Sequence, residues 1–406
     1  MAAQQKKLLY LVHRIPYPPN KGDKIRSFNI LKYLSQHFQV YLGTFIDDAH
    51  DWRYLKDLEA YCQDFYAAPL KPLQAKFRSL PALLGSSPMS IPYYKDARLQ
   101  SWIKAQKDQH DFDAVLVFSS AMAQYVMGQE WAHQHRVIDF VDVDSDKWLQ
   151  YAATKSWPMN WIYRREANTL LEFDKRVADE FEASLFVSAK EAELFASLPG
   201  VDEAKVGHAD NGVDIDYFNP DADYANPYGE DEQVIVFTGA MDYWANADAV
   251  SWFAQEVLPE VRKQHPAALF YIVGSRPSRQ VQELANLSGI KVTGSVKEIL
   301  PYLAHARLVV APMRIARGVQ NKVLEAMAMA KAVVVTPQGF DGITAEANNE
   351  VMVAESTQDF AFAVTELLDD PDKAAQLGQV ARHHIEHAYA WETSLQVLLP
   401  KLEGQA

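Results

Sequence analysis

Two side chains three residues apart, Lys322 and Glu325, sit where a helix should open after an apolar strand and a short basic loop. The strand reads RLVVAPM, the loop carries Arg314, Arg317 and Gly318, and the helix begins near Asn321. The first N–H groups of a helix lack partners within it and can face an anion, and glycine lets that backbone approach closely. A cation beside such N–H groups suits a diphosphate; a carboxylate one turn further in suits sugar or ribose hydroxyls. Val323, Leu324, Met327 and Ala328 form a separate stripe for packing. An ordinary amphipathic helix with a surface Lys–Glu pair would use the same residues.

Two further groups could carry chemistry. Asp142, Asp144 and Asp146 alternate after the run RVIDFV, where carboxylates could bind a cation, orient hydroxyls or cap the helix that starts near Ser145. Asp142 and Asp144 are candidate sugar contacts. Lys21, Gly22, Asp23, Lys24 and Arg26 lie in or just beyond the loop RIPYPPNKGDK, at the carboxyl end of the first strand. That loop is either a ligand loop or a proline-stiffened connection with solvated charges.

The positioning elements read as strand, loop and helix in alternation. Residues 8–13 form a buried parallel strand, and the next helix turns Phe28, Leu31 and Leu34 inward, which opens a doubly wound sheet. QVYLGTF, DFYAAP, DAVLVFSS, RVIDFVD and ASLFVSA continue the pattern, with a long helix over 162–177. Asn211-Gly212 signals a turn, and the polar run 221–233 reads as a hinge linker. A second sheet starts with 233–239. Gly239 opens the loop GAMDYWANADAV, with Asp242 and Asn246, ahead of a helix that buries Val250, Phe253, Ala254, Val257 and Val261. LFYIVG ends in Gly274 before Arg276 and Arg279, and IKVTG ends in Thr293 and Gly294. A glycine at a strand end admits a ligand or simply a tight turn. The opening unit lacks a G-x-G-x-x-G fingerprint, which argues against a dinucleotide oxidoreductase.

The 406 residues suit two domains, and a hydrophobic fraction of 49% is that of a globular chain. A formal charge of -14 argues against a general nucleic-acid binder, so acidic substrates must meet local basic sites. Cys62 is the only cysteine, which excludes an intramolecular disulfide and a cysteine-cluster metal site and fits a reducing cytoplasm. The N-terminal apolar run is too short for a signal peptide, and no stretch approaches the roughly 20 apolar residues that span a bilayer. The expectation is a cytoplasmic protein, soluble or peripherally attached at the inner face of the membrane. Region 70–107 is locally basic, and its Leu73, Phe77 and Leu80 form the stripe of an interfacial helix that Pro81 limits. Such a region can dock on anionic lipid or on an acceptor's phosphate; a solvated face of helices covering the sheet is the plainer reading.

The helix phrase resembles the donor motif of the retaining glycosyltransferases of family 4, glycosyl transferases group 1, which reads K-x-x-E-A-M-A-x-G before a strand. Lys322, Glu325, Ala326, Met327 and Ala328 match it. The proline-rich first loop and the N-G-V-D segment followed by Phe218 and Pro220 are similar to that family as well. PYPPNKGDKIRSF, FTGAMDYWANADAVSWF and RIARGVQNKVLEAMAMAK look most like the exopolysaccharide sugar transferases associated with bacterial PEP-CTERM and exosortase systems. The resemblance implies an α/β GT-B architecture, two Rossmann-like domains facing across a cleft. It expects an acceptor-side domain over 1–220, a donor domain over 221–385, and a last helix within 386–406 crossing back to the first. It also implies transfer of a sugar, with retention, from a nucleotide-diphosphate sugar to a hydroxyl of a glycan or lipid-linked acceptor, without metal or other cofactor.

By the same resemblance Lys322 takes the diphosphate, Glu325 a ribose hydroxyl, Thr293 and Gly294 the base, and the loop from Lys21 to Arg26 reaches the cleft. The chain also departs from the pattern. Arg317 stands where the family has its first glutamate, Ala330 where it has a glycine, and Asp242 and Asn246 occupy a loop that usually supplies an arginine and a lysine. Arg314, Arg317 and Lys322 are then the cations left to neutralise a diphosphate. Carboxylates at Asp142 and Asp144 stand where a histidine often lies beside the donor sugar. Two rivals use the same residues: a nucleotide-sugar epimerase of this fold, with Asp142 and Asp144 as acid and base, and a non-catalytic nucleotide-sugar binding subunit.

Overall fold

The computed structural model describes residues 5–229, 232–316 and 319–404. The chain forms two compact units, Met1–Asn211 with Ser394–Ala406, and Gly212–Thr393. In the first, the apolar runs become β1 (Lys7–Val12), β2 (Gln39–Ile46), β3 (Asp64–Pro69), β4 (Ala114–Phe118), β5 (His135–Val141), β6 (Ala183–Phe186) and β7 (Val206–His208). They lie in the order β3-β2-β1-β4-β5-β6-β7, every neighbouring pair parallel. Parallel strands need crossover helices, which cover both faces and favour strands apolar on both sides. Accordingly, residues 8–12 of β1 and 114–118 of β4 are wholly buried. The winding reverses between β1 and β4, which parts the loops at their carboxyl ends and opens a crevice there.

The second unit repeats the scheme with β8 (Gln233–Thr238), β9 (Ala268–Val273), β10 (Ile290–Gly294), β11 (Leu308–Ala311), β12 (Val333–Val335) and β13 (Met352–Val353). Its order is β10-β9-β8-β11-β12-β13, again parallel, with the reversal between β8 and β11. These are the two doubly wound sheets expected. β7 and β13 were not anticipated, because strands this short carry no readable periodicity. The helix after β8 runs from Trp244 to Gln264 and widens into a π turn at Phe253–Val257, just ahead of Pro259, which has no N–H for an α turn.

Segment 212–220 joins the second unit instead of closing the first. The Val213 N–H bonds the Tyr389 carbonyl at 2.7 Å, and Arg382 donates to the carbonyls of Phe218 at 2.7 Å and Ile215 at 3.2 Å. The units therefore divide at Asn211 and Thr393, where the sequence suggested 220 and 385. From Ser394 the chain belongs to the first unit again, and helix Leu398–Leu402 packs on β4 and β5.

Arg26, expected in a ligand loop, is an interior residue. Helix Gly22–Ser35 starts directly after Lys21, so Arg26 lies one turn in and is 1% exposed. Its Nε is 2.8 Å from Asp139 Oδ2 and its Nη1 is 3.0 Å from Asn211 Oδ1. Asp139 is wholly buried in β5, and its Oδ1 accepts the Val141 N–H at 3.0 Å. Lys24 is buried as well, 2.9 Å from Asp51. Charges taken this far from water persist only as pairs.

Asp139→Ala, which strands the Arg26 charge, should cost about 3–5 kcal/mol in denaturant unfolding. Replacing both partners, Arg26→Met with Asp139→Leu, should recover most of that loss; equal losses for the single and double variants would contradict the pairing.

Candidate functional site

The helix Asn321–Ala328 begins beyond β11, at the reversal of the second sheet. Its stripe of Val323, Leu324, Met327 and Ala328 is buried, as the spacing required. The far end is locked. The N–H groups of Ala330 and Lys331 bond the carbonyls of Met327 at 2.9 Å and Ala326 at 3.1 Å, and Ala330 adopts a left-handed φ of 51°. The position where the family carries glycine thus keeps glycine's conformation with an alanine in place. Helix Pro371–Ala388 crosses this stop at Gly378, where a Cβ would lie 2.0 Å from the Ala330 carbonyl oxygen.

With its apolar stripe and its end held by the core, the helix aims its first turn at the end of β8. Gln320 occupies the N-cap position with extended backbone, and its Oε1 accepts from Lys322 Nζ at 3.2 Å. The same ammonium lies 5.5 Å from the centre of the Phe237 ring in β8 and 4.0 Å from Met313 Sδ. Lys322 therefore lies between β8 and the segment just past β11, β8 and β11 being the two strands between which the sheet reverses. Burial among these groups pulls its pKa down to about 8, with Glu325 opposing. Burial pushes Glu325 up to about 7, with Lys322 opposing. The Tyr217 hydroxyl is raised by burial and then by the charges of Glu298 and Glu325, which puts all three in one neighbourhood. An anion would restore the charge of such a lysine, and hydroxyl donors would favour the ionised carboxylate.

The loops around this turn explain the glycines differently from a direct ligand role. Met241 N–H bonds the Ser275 carbonyl at 2.8 Å, and a Cβ on Gly274 would lie 1.7 Å from the Gly239 carbonyl oxygen. Gly274 is thus required by the contact between the two loops. Asn246, expected as a donor contact, is 5% exposed and donates to the Ala240 carbonyl at 2.9 Å, so it braces the loop from inside. Asp242 is exposed and pairs with Arg276 at 3.0 Å. Arg314 is held by Asp248 at 2.5 and 3.0 Å and lies 5.9 Å from the Trp252 ring centre, turned toward helix Trp244–Trp252. Arg276, noted in the sequence only as part of a basic loop, therefore stands by Asp242, while Arg314 is engaged on that helix. The Thr293 hydroxyl is occupied by the carbonyls of Gly294 at 2.9 Å and Ile272 at 3.4 Å, whereas Gly294, at φ 68°, borders open space. Asn321 is exposed at the helix start; Arg317 and Gly318 lie outside the described residues.

In the first unit the crevice between β1 and β4 gathers a network of charges. His13, the first residue past β1, stacks on Phe118 at a centroid distance of 5.8 Å, and its Nε2 is 3.4 Å from Asp23. Arg14 bonds Asp23 at 2.5 Å and Asp47 at 2.9 Å. Burial alone would raise Asp23, but the His13 hydrogen bond and the Arg14 charge overrule it and bring the carboxyl to about 2. Lys147 pairs with Asp142 at 2.5 Å and with Asp144 at 3.3 Å. Asp142 and Asp144 thus share an ammonium; neither caps the helix Asp144–Thr154. Asp144 is half exposed, yet desolvation by the surrounding protein raises its carboxyl, Lys147 opposes, and His13 is near enough to contribute. Behind them Ser120 donates to Asp174, whose carboxyl burial lifts well above its usual range. Lys21 is exposed just ahead of the first helix and Gly22 at its first position. His13, Arg14, Lys147 and Asp174 were missed because each reads as a strand end or a helix surface; proximity to the sheet reversal is the only signal they carry. Among the described residues, no group of His, Cys, Asp and Glu is arranged to hold a metal ion.

Residues 232–370 match the family of glycosyl transferases group 1. A GDP-mannose-dependent alpha-(1-6)-phosphatidylinositol monomannoside mannosyltransferase of Mycobacterium tuberculosis is 28% identical over 275 residues, covering 62% of this chain and 69% of the relative. Among solved structures, a glycosyltransferase of Rickettsia africae matches with a TM-score of 0.66 at 15% identity, over 99% of both chains. Anabaena HepE in complex with UDP-glucose matches with a TM-score of 0.64 at 17% identity, over 98% of this chain and 99% of the other. The structural likeness carries the fold, two Rossmann-like units of the GT-B type. The family match lies across the second sheet only, and what it and the mycobacterial relative support is a nucleotide-sugar-dependent glycosyltransferase.

Proposed function

We propose that the chain moves a hexosyl unit from a uridine or guanosine diphosphate sugar to a hydroxyl of a glycan or lipid-linked acceptor. The setting is the synthesis of a bacterial exopolysaccharide or other cell-surface glycan, at the inner face of the membrane. The second unit takes the donor and the first the acceptor. The observation that carries this reading is Lys322: a lysine desolvated over Phe237, at the start of a packed helix, in the crevice of a doubly wound sheet. Such a cation gains most from an anion that replaces the water it has lost.

In this reading Lys322, Asn321 and the loop with Arg317 and Gly318 meet the two phosphoryl groups, and Glu325 accepts from the ribose. Gly294 borders the base, and the backbone joined at Gly239 and Gly274 walls the other side. Arg276 supplies a cation that its loop neighbour Asp242 holds meanwhile. As the sugar–phosphate bond breaks, negative charge grows on the diphosphate, and a fixed cation stabilises that charge more in the transition state than in the ground state. In the first unit, Asp142 and Asp144, which share Lys147, and Asp23, held by Arg14, orient sugar hydroxyls. The mycobacterial relative is named for GDP-mannose and HepE is seen with UDP-glucose, so these donors come first in a test.

Nucleoside diphosphate release should require an acceptor, and the product should keep the donor's anomeric configuration by NMR. Sugar interconversion without an acceptor would instead favour an epimerase, and binding without turnover a silent subunit.

Lys322 also sets a pH dependence. Its pKa near 8 rises when a diphosphate, essentially fully ionised by about pH 8, is bound, so binding above pH 8 takes up a proton. The dissociation constant for uridine or guanosine diphosphate, measured by calorimetry, should therefore climb above pH 8 by up to about tenfold per pH unit. Lys322→Arg should flatten that limb while keeping the titration of Glu325, and Lys322→Ala should weaken diphosphates far more than the free nucleoside. An unchanged limb in Lys322→Arg, or equal weakening of both ligands, would remove Lys322 from the phosphate site.

A further inference from the structure

The first unit has a surface built backwards for a soluble helix. Helix Pro72–Ser79 turns its small residues, Ala75 and Ser79, inward and its large ones outward: Leu73 is 72% exposed and Phe77 71%. The turn that follows leaves Leu84 96% exposed. Against it stands the start of helix Met159–Glu180, with Trp157 77% and Trp161 52% exposed. Burial normally favours large apolar side chains over alanine and serine, so the outer face of this helix is one that a partner could cover.

The two stretches form one surface. Arg165 lies one helical turn beyond Trp161, on the same face, and its Nη2 donates to the carbonyls of Ala82, Gly85 at 2.7 Å and Ser87 at 2.9 Å, which brackets Leu84. Glu166 beside it accepts the Met89 N–H at 2.8 Å. The tryptophans and the leucine loop are thus fixed side by side by backbone carbonyls on one part and a guanidinium on the other.

The charge of this surface is opposite to that of the chain. Residues 71–94 and 148–165 contain six Lys and Arg and no Asp or Glu, in a protein of net charge -14. Lys71, Lys76, Lys155 and Arg164 are exposed around the apolar residues. Cations ringing outward leucine, phenylalanine and tryptophan match an anionic lipid interface, where acyl chains take the apolar groups, indole rings sit at headgroup level and phosphates meet the cations. No described helix is long and apolar enough to cross a membrane, so attachment would be from one side.

We propose that this surface, formed jointly by helix Pro72–Ser79 with the loop after it and by the tryptophan-bearing start of helix Met159–Glu180, docks the first unit on an anionic membrane. The 70–107 region supplies only half of it; the half with Trp157 and Trp161 becomes apparent once the fold brings them to Leu84. The surface stands on its own residues and does not depend on the donor assignment.

Flotation of the full chain with phosphatidylcholine vesicles, with and without phosphatidylglycerol and without any nucleotide sugar, tests it. Binding is expected only with phosphatidylglycerol and should weaken at high salt. Trp157→Ser with Trp161→Ser, and separately Leu84→Ser with Phe77→Ser, should each lower the bound fraction roughly tenfold. Thermal melting should not change, since these side chains contact solvent. Charge reversal at Lys71, Lys76 and Lys155 should abolish the preference for phosphatidylglycerol. Absence of binding to anionic vesicles, equal binding to neutral ones, or variants that float like the parent would each overturn the proposal. So would a concentration-dependent dimer, seen by light scattering without lipid, that the tryptophan variant abolishes, because the surface would then serve a second copy.

Discussion

A half-buried ammonium set among apolar groups is the constraint on which the second unit turns. At neutral pH Lys322, with a pKa near 8, keeps its charge by about one pH unit, a margin of roughly 1.4 kcal/mol. The backbone that carries Lys322 is immobilised. Val323, Leu324 and Met327 are buried, the helix ends in a hydrogen-bonded stop at Ala330, and Gly378 of a crossing helix leaves room for nothing larger there. Packing remote from the ammonium thus holds an electrostatic cost in place, and a cost held in place is recovered by whatever anion relieves it.

The first unit treats its charges in the opposite way. Arg14 satisfies Asp23 and Asp47, and Lys147 satisfies Asp142 and Asp144, while Arg26 and Asp139 are closed off in the interior. Each carboxylate there has a cationic partner, yet two carboxylates share each cation, so the crevice offers polar edges and an excess of negative charge that opposes a diphosphate. That suits neutral, hydroxyl-rich molecules, and it agrees with the proposed division in which the diphosphate belongs to the second unit and the acceptor to the first. Positive φ values at Ser119, 77°, and Val141, 72°, fall at the ends of β4 and β5, beside this network. Left-handed backbone is unfavourable for a β-branched residue, and the Val141 N–H is held there by Asp139, the buried partner of Arg26. The interior ion pair therefore shapes the strand end as well as filling the core.

Much of this was legible in the sequence, for identifiable reasons. Parallel strands announce themselves as continuous apolar runs, and the packed stripe of helix Asn321–Ala328 follows from its spacing alone. The illegible parts involve contacts between residues far apart in the chain. Arg26 looks like a loop cation until Asp139, in a distant strand, is seen to bury it. Asn246 looks like a polar ligand contact until the Ala240 carbonyl claims it. Arg314 and Arg276 cannot be ranked by position, since Asp248 and Asp242 decide where each points. The division of the chain at Asn211 depends on Arg382 reaching back to Ile215 and Phe218, which no local pattern records.

The loop after β8 shows how a missing charge can be compensated without restoring it at the same position. Asp242 there would oppose a diphosphate, and the loop GAMDYWANADAV carries no lysine or arginine of its own. Arg276, from the neighbouring loop, cancels that carboxylate at 3.0 Å. Both members of the pair are largely exposed, so their mutual attraction is worth at most about 1 kcal/mol. A doubly charged phosphate competes easily for a guanidinium held so weakly. Arg276 also keeps a left-handed φ of 51°, and the loops on either side of it are joined through Met241 and Ser275, so its backbone is constrained while its side chain is not. In the proposed donor site, a fixed lysine on one side and a transferable arginine on the other would add to the charge the diphosphate meets, and of these two only Lys322 bears a desolvation cost while it waits.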